Sequence, residues 1–163
     1  MVEDANMTGN EAPAEASSLY TGRAVAFFLG GQRYALPIDR VQEIQQIVAF
    51  AEVPGAGSSV VGMVNLRGRV IPVVDLRRLL AMTVQDFTLD TPMIICRIRE
   101  QLVALVADEV QDVIELPGGC LQDPPAMHAL ASKMLGVARM DDGLIYLLDI
   151  DQLLGETLTA GGW

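Results

Sequence analysis

The chain has one histidine and two cysteines in 163 residues, and its eleven lysines and arginines face 21 aspartates and glutamates. Each scarcity excludes a class of chemistry. His128 lies in a proline-bearing connector with no serine, cysteine or aspartate at a telling distance, so a histidine general base would lack its partners. Cys96 and Cys120 make no CxxC pair in an apolar chain, which reads as reduced, buried thiols rather than a redox or metal pair. No Asp, Glu or His cluster has ligand spacing for a metal. The glycines of residues 55–59 lack the Gly-Lys-Ser/Thr ending and the lysine of a phosphate cradle. A formal net charge of -10 repels the phosphate backbone of nucleic acid, whose neutralisation by Lys and Arg supplies most nonspecific affinity. No apolar run approaches the ~18 residues of a membrane span, and Glu3 and Asp4 stand where a signal peptide carries basic residues. The sequence predicts a cytosolic protein with no cofactor, no metal, no nucleic-acid partner and no membrane insertion.

What the chain has in abundance is hydrophobicity, 51% of its residues, and that hydrophobicity is duplicated. Residues 62–80, GMVNLRGRVIPVVDLRRLL, match residues 136–154, GVARMDDGLIYLLDIDQLL, without a gap. Gly62/Gly136, Ile71/Ile145, Asp75/Asp149, Leu79/Leu153 and Leu80/Leu154 are identical, and apolar positions otherwise face apolar ones except Pro72/Tyr146. A second match joins residues 34–44, YALPIDRVQEI, to residues 103–113, VALVADEVQDV. Two copies are too few for a solenoid, which needs at least three stacked units to bury a continuous core. Two fused small domains sharing one plan fit better.

Residues 1–20 carry Glu3, Asp4, Glu11 and Glu15 and no Lys or Arg, so they are predicted to be a disordered acidic tail. The folded domain is expected over 21–158, with pseudo-repeat halves at about 24–80 and 92–154, and a short tail over 159–163. Strands are predicted at 24–29 and 33–37 around Gly30-Gly31, at 41–48, and at 63–66 and 70–74 around Arg67-Gly68-Arg69. The second set covers 93–98, 102–107, 110–116, 137–140 and 144–148, with Asp141-Asp142-Gly143 turning the last pair. Ser58 is placed to cap one helical turn through Val61, and Asp75 and Asp149 to cap short leucine-bearing turns. Residues 122–130 read as a connector with at most one helical turn. About five short strands per half, with helix confined to single turns, is an all-β pattern of paired small barrels.

These residues resemble the CheW-like adaptors of bacterial chemotaxis. The likeness rests on FFLGGQRYALPIDRVQEI and VPGAGSSVVGMVNLRGRVIPVVDLRRLL in the first half, and on VALVADEVQDVIELP and LGVARMDDGLIYLLDIDQLL in the second. It implies two five-stranded SH3-like β-barrels packed together, and a non-enzymatic scaffold. Its implied partners are the cytoplasmic tip of a chemoreceptor and the regulatory domain of a CheA-type histidine kinase, in arrays at the membrane. The pathway served could be swimming, twitching or surface sensing, since one fold carries different outputs. The resemblance implies partner-binding positions at Val41, Glu43, Ile44, Gly62, Asn65, Leu66, Arg67, Gly68 and Val110.

The residues themselves support part of that list. Arg67, Arg69, Arg77 and Arg78 are the densest basic run of an acidic chain and could pair with carboxylates of an incoming helix. Val41 and Ile44 could serve as apolar anchors if exposed, and Met63 and Met140 occupy equivalent strands. A small-ligand binder or enzyme using a crevice between the barrels would need convergent polar groups, of which the sequence offers no evident set.

Overall fold

In the computed structural model the described residues are 22–47, 59–127 and 130–160, with side chains described through Gly155. The predicted tail 1–20, the glycine-rich loop with its Ser58 cap, and His128 lie outside them. The strands are β1 (Gly22–Leu29), β2 (Gln32–Pro37), β3 (Val41–Gln46), β4 (Val60–Leu66), β5 (Arg69–Asp75), β6 (Pro92–Ile98), β7 (Gln101–Val106), β8 (Glu109–Leu116), β9 (Leu121–Gln122), β10 (Met134–Met140) and β11 (Gly143–Leu148). Two helices, α1 (Leu76–Leu79) and α2 (Ile150–Ala160), follow β5 and β11, and 3-10 turns fill Ile38–Arg40 and Ala131–Lys133.

The strands form a six-stranded sheet in the order β8-β1-β2-β11-β10-β9 and a five-stranded sheet in the order β3-β6-β7-β5-β4. The chain is therefore mainly β, as predicted, but one sheet has six strands where five were expected, since β9 adds to it, and the sequence halves and the sheets do not coincide. Each sheet takes its first hairpin from one half and its other repeat strands from the other. The exchange is made by two parallel pairings, β2 with β11 and β5 with β7. The pairings are equivalents: Ala35 faces Leu147 in one, and their repeat mates Ala104 and Val73 face each other in the second. Sequence similarity reveals which strands share a role but not which copy each will join.

Alternation along the strands feeds two layers of core at once, because successive side chains point to opposite faces. On β7, Val103 and Leu105 join the cluster shared by both sheets, while Leu102, Ala104 and Val106 join one confined to the five-stranded sheet. Such a strand is buried on both sides and reads as an unbroken apolar run. The shared cluster also holds Phe27, Leu29 and Leu36 from the six-stranded sheet and Leu153 and Leu154 from α2. Phe27 and Tyr34 stack at 5.9 Å between ring centroids, and Tyr146 tilts against Tyr34 at 5.6 Å.

Three expectations are corrected. β4 already begins at Val60, so no helical turn runs through Val61. The connector after Gly119 contributes β9, a two-residue strand that pairs with Val137 and Ala138 of β10. Helix is not confined to single turns: α2 has eleven residues, reaching Ala160 where a tail was expected. Asp149 Oδ1 accepts from the Gln152 amide at 3.3 Å, and buried Leu153 and Leu154 anchor the helix on the core. Gly155 lies inside this helix, where glycine costs about 1 kcal/mol relative to alanine. Asp75 does cap α1, accepting from the Arg77 amide at 3.1 Å.

The two thiols differ in accessibility. Burial pushes Cys96 up to about 12 and raises Cys120 less, since Cys120 is only partly covered. The thiolate is the reactive form, so at pH 8 a thiol reagent is expected to modify Cys120 in the native protein and Cys96 only after denaturation. Native labelling at Cys96, read by peptide mass mapping, would contradict the packing of β6.

Candidate functional site

The β4–β5 hairpin closes through Arg67 and Gly68, both in the left-handed region at φ 50° and 87°. That conformation at both central residues gives a tight turn whose twist matches the strands. Asn65 Oδ1 accepts from the Gly68 amide at 2.9 Å and holds the tip. From this tip the Arg67 guanidinium reaches Glu43 on β3, the opposite edge strand of the same sheet, and makes an ion pair with it. Hydrogen bonds from Gln45 and Arg67 hold the Glu43 carboxyl below the usual range. Two residues of the predicted set are thus brought together from 24 positions apart.

Around that pair the β3 face alternates. Gln42, Ile44 and Gln46 are exposed while Val41 packs against the central core. Ile44 keeps 43% of its surface in water, unusual for a large apolar side chain, and Val113, its repeat mate on β8, keeps 47%. Val70 and its mate Leu144 are the same kind of pair, at 63% and 43%. The duplication has kept four apolar side chains on the outside as well as the core ones inside. Val110, like Val41, is half-buried against the central core. Gly62 and Leu66 are buried, so they shape β4 rather than offer surface. Met63 and Met140 are both partly exposed.

The run Arg67, Arg69, Arg77 and Arg78 is not one surface cluster. Arg77 turns inward and is clamped by Asp108, Nε to Oδ1 at 2.7 Å and Nη2 to Oδ2 at 2.6 Å, with Nη1 donating to the Thr83 carbonyl. Arg78 Nε lies 3.5 Å from Asp75 Oδ2, a buried oxygen with no hydrogen-bond partner among the described residues. Burial raises the Asp75 carboxyl, against the Arg77 amide and the two arginine charges. At Asp108, burial also works upward, but the Arg77 hydrogen bonds, the Gly30 amide at 2.8 Å and the Arg77 charge outweigh it and depress the group.

Sequence reasoning missed the mate of this clamp. Arg40, after β2, is held by Asp151 of α2, which faces Arg77 in the repeat alignment as Asp39 faces Asp108. The cation sits on the helix in one half and beside the strand in the other. Only the aligned pair Arg77/Asp151 hinted at it. Among the described residues no group of acidic, histidine or cysteine side chains is arranged to hold a metal ion, and no helix is long and apolar enough to cross a membrane.

Comparison with known proteins gives these features a context. Residues 23–158 match the family model of the CheW-like domain. The chain is 32% identical over 136 residues to the chemotaxis protein CheW of Bacillus subtilis, covering 82% of this chain and 87% of the relative. It is 28% identical over 135 residues to the probable chemotaxis protein CheW of Rhizobium etli, with coverage of 82% and 87%. Among solved structures, the crystal structure of the scaffolding protein TtCheW from Thermoanaerobacter tengcongensis superposes with a TM-score of 0.77 at 28% identity, covering 83% of this chain and 93% of that one.

Proposed function

The chain belongs to the CheW-like domain family, and on that premise we propose that it is a non-enzymatic adaptor coupling the cytoplasmic tip of a chemoreceptor to the regulatory domain of a CheA-type histidine kinase. It would work at receptor arrays beneath the membrane, recruited by its partners. The observation that carries the partner-facing assignment is the Arg67–Glu43 pair across the hairpin tip, with exposed Ile44 on the other face of β3. The charged pair offers a helical partner polar groups, and Ile44 and Val70 are exposed apolar anchors on the same sheet. Asn65 and Gly68 hold the hairpin tip, Gly62 and Leu66 support it from within, and Val41 and Val110 are half-buried against the central core at equivalent places in the two halves. The same pair ties β3 to the β4–β5 hairpin, the two borders of the five-stranded sheet, which favours reading that sheet as an SH3-like barrel. Affinity then comes from two modest interfaces acting together.

Arg67→Glu places like charges together on the surface without touching the core. The thermal transition is expected to stay in place while the dissociation constant for receptor tip or kinase regulatory domain rises about tenfold or more, roughly 1.4 kcal/mol. Titration calorimetry with each partner separately reads this out. Unchanged binding to both would remove Arg67 from the partner face, and failure of the parent chain to bind either would remove the adaptor reading.

A further inference from the structure

Glu43 is held from two sides. Its Oε2 takes the Arg67 guanidinium, and its Oε1 accepts from Gln45 Nε2 at 2.8 Å, so the two oxygens of one carboxylate are divided between two donors. Glu43 and Gln45 stand two apart on β3 and therefore on one face, where both are half-buried, while Gln42, Ile44 and Gln46 are exposed on the other. An ionised carboxylate has only acceptors, so the amide must turn its nitrogen to Glu43.

This contact does not use up Arg67. Its side chain keeps 66% of its surface in water while paired, and only Nη2 is engaged among the described residues, which leaves Nε and Nη1 able to donate. Arg67 also stands at φ 50° in the first central position of the β4–β5 turn, where glycine, asparagine or aspartate is less strained. The turn thus keeps a guanidinium where its backbone favours another residue, and that guanidinium is tied back to an edge strand.

The other half of the duplication has none of this. At the same offsets stand Asp112 for Glu43, Ile114 for Gln45 and Asp141 for Arg67, two acids that cannot pair with each other and an apolar side chain with no donor. The three positions differ together, as expected of one three-residue device rather than of three independent surface side chains. Holding one oxygen of Glu43 removes the free rotation of its last torsion, so the other oxygen stays on Arg67 and a flexible arginine is ordered before a partner arrives. We infer, resting on the adaptor reading above, that Gln45 is a positioning residue of the partner face: through Glu43 it fixes the Arg67 guanidinium with its remaining N–H donors open to a carboxylate of the bound helix.

The test uses the full chain with Gln45→Met, which keeps the length of the side chain and removes the donor, and with Gln45→Leu as a second such variant. In the free protein the Glu43 carboxyl carbon, assigned by its absence from Glu43→Gln and followed by NMR against pH, should titrate at higher pH than in the parent, because the Gln45 hydrogen bond comes first among the interactions that hold this carboxyl down. Calorimetry should show the dissociation constant for the receptor tip or the kinase regulatory domain rising about fivefold at an unchanged thermal transition. Once Glu43→Gln has removed the charge, adding Gln45→Met should weaken binding no further, which a merely structural role for Gln45 would not produce. A Glu43 titration that does not move, donor-less variants that bind both partners as tightly as the parent, or a loss that persists undiminished in the Glu43→Gln background would each overturn the inference while leaving the adaptor reading in place. A parent chain that binds neither partner would overturn the adaptor reading and the inference with it.

Discussion

Val74→Asp is expected to cost about 4 kcal/mol or more, enough to leave a domain of ordinary stability, roughly 5–15 kcal/mol, close to unfolding. Val74 has no exposed surface and belongs to the core shared by both sheets. It pairs with Val60 on one side and Leu105 on the other, so no partner cation is within reach and the strand cannot slip without turning every neighbour inside out. A carboxylate there must be desolvated unpaired or taken up as the neutral acid, and both are unfavourable. Val70→Asp, four residues earlier at the exposed hairpin end of the same strand, serves as the control and should stay within about 0.5 kcal/mol of the parent. Urea denaturation of the three proteins measures the difference. A Val74→Asp midpoint equal to that of Val70→Asp would mean that the burial along β5 is misassigned.

Asp108→Ala is expected to cost about 3 kcal/mol at neutral pH, because it leaves the Arg77 guanidinium, 10% exposed, without the carboxylate that clamps it. Replacing both residues, as Arg77→Met with Asp108→Leu, should recover most of the loss, since the penalty lies in the orphaned charge. The effect also has a direction in pH. Asp108 is held below its unfolded value of about 3.9. Its stabilisation is therefore complete above that value and lost as the pH falls through the folded pKa. Asp75 is raised, so it runs the other way: the stability its protonated form contributes is present below the unfolded pKa and is lost as the pH rises through the folded one. Removing Asp108 should thus penalise the protein most at neutral pH and progressively less in acid below about pH 4. A penalty that stays constant down the acid limb of a urea series would exclude the ion pair as its source.

Most of the strands were legible because their signal is local. Alternation and apolar runs mark β1, β2, β5, β6 and β7, and the turn residues Gly30-Gly31 and Arg67-Gly68 mark the hairpin tips with the positive φ they adopt. The caps Asp75 and Asp149 were readable for the same reason. Failures came where a feature depends on who meets whom. β9 has only two residues and exists through its pairing with β10. The eleven residues of α2 rest on burial of Leu153 and Leu154, which no run of helix-forming residues announced. Within the site, Arg67, Glu43 and Ile44 could each be singled out, but the meeting of Arg67 with Glu43 is a product of sheet order. Arg40 and Asp151 are 111 residues apart and carry charges reversed from their repeat mates, so alignment of the halves gave no more than the Arg77/Asp151 match as a hint. Four consecutive-looking arginines conversely suggested a patch that the inward turn of Arg77 dissolves.

The exchange of strands between halves sets a timetable for synthesis. Every strand of the five-stranded sheet has been made once the ribosome passes Val106. The six-stranded sheet contains β1 and β2, the first strands to emerge, yet β2 has no neighbour on its far side until β11 is complete at Leu148. The nascent β1–β2 hairpin must therefore wait through more than a hundred residues, and two-stranded hairpins are marginal in water alone. Late, long-range closure of this kind slows folding and leaves apolar strand surface uncovered in the interval. The first strands of this fold to be made are the last to be enclosed.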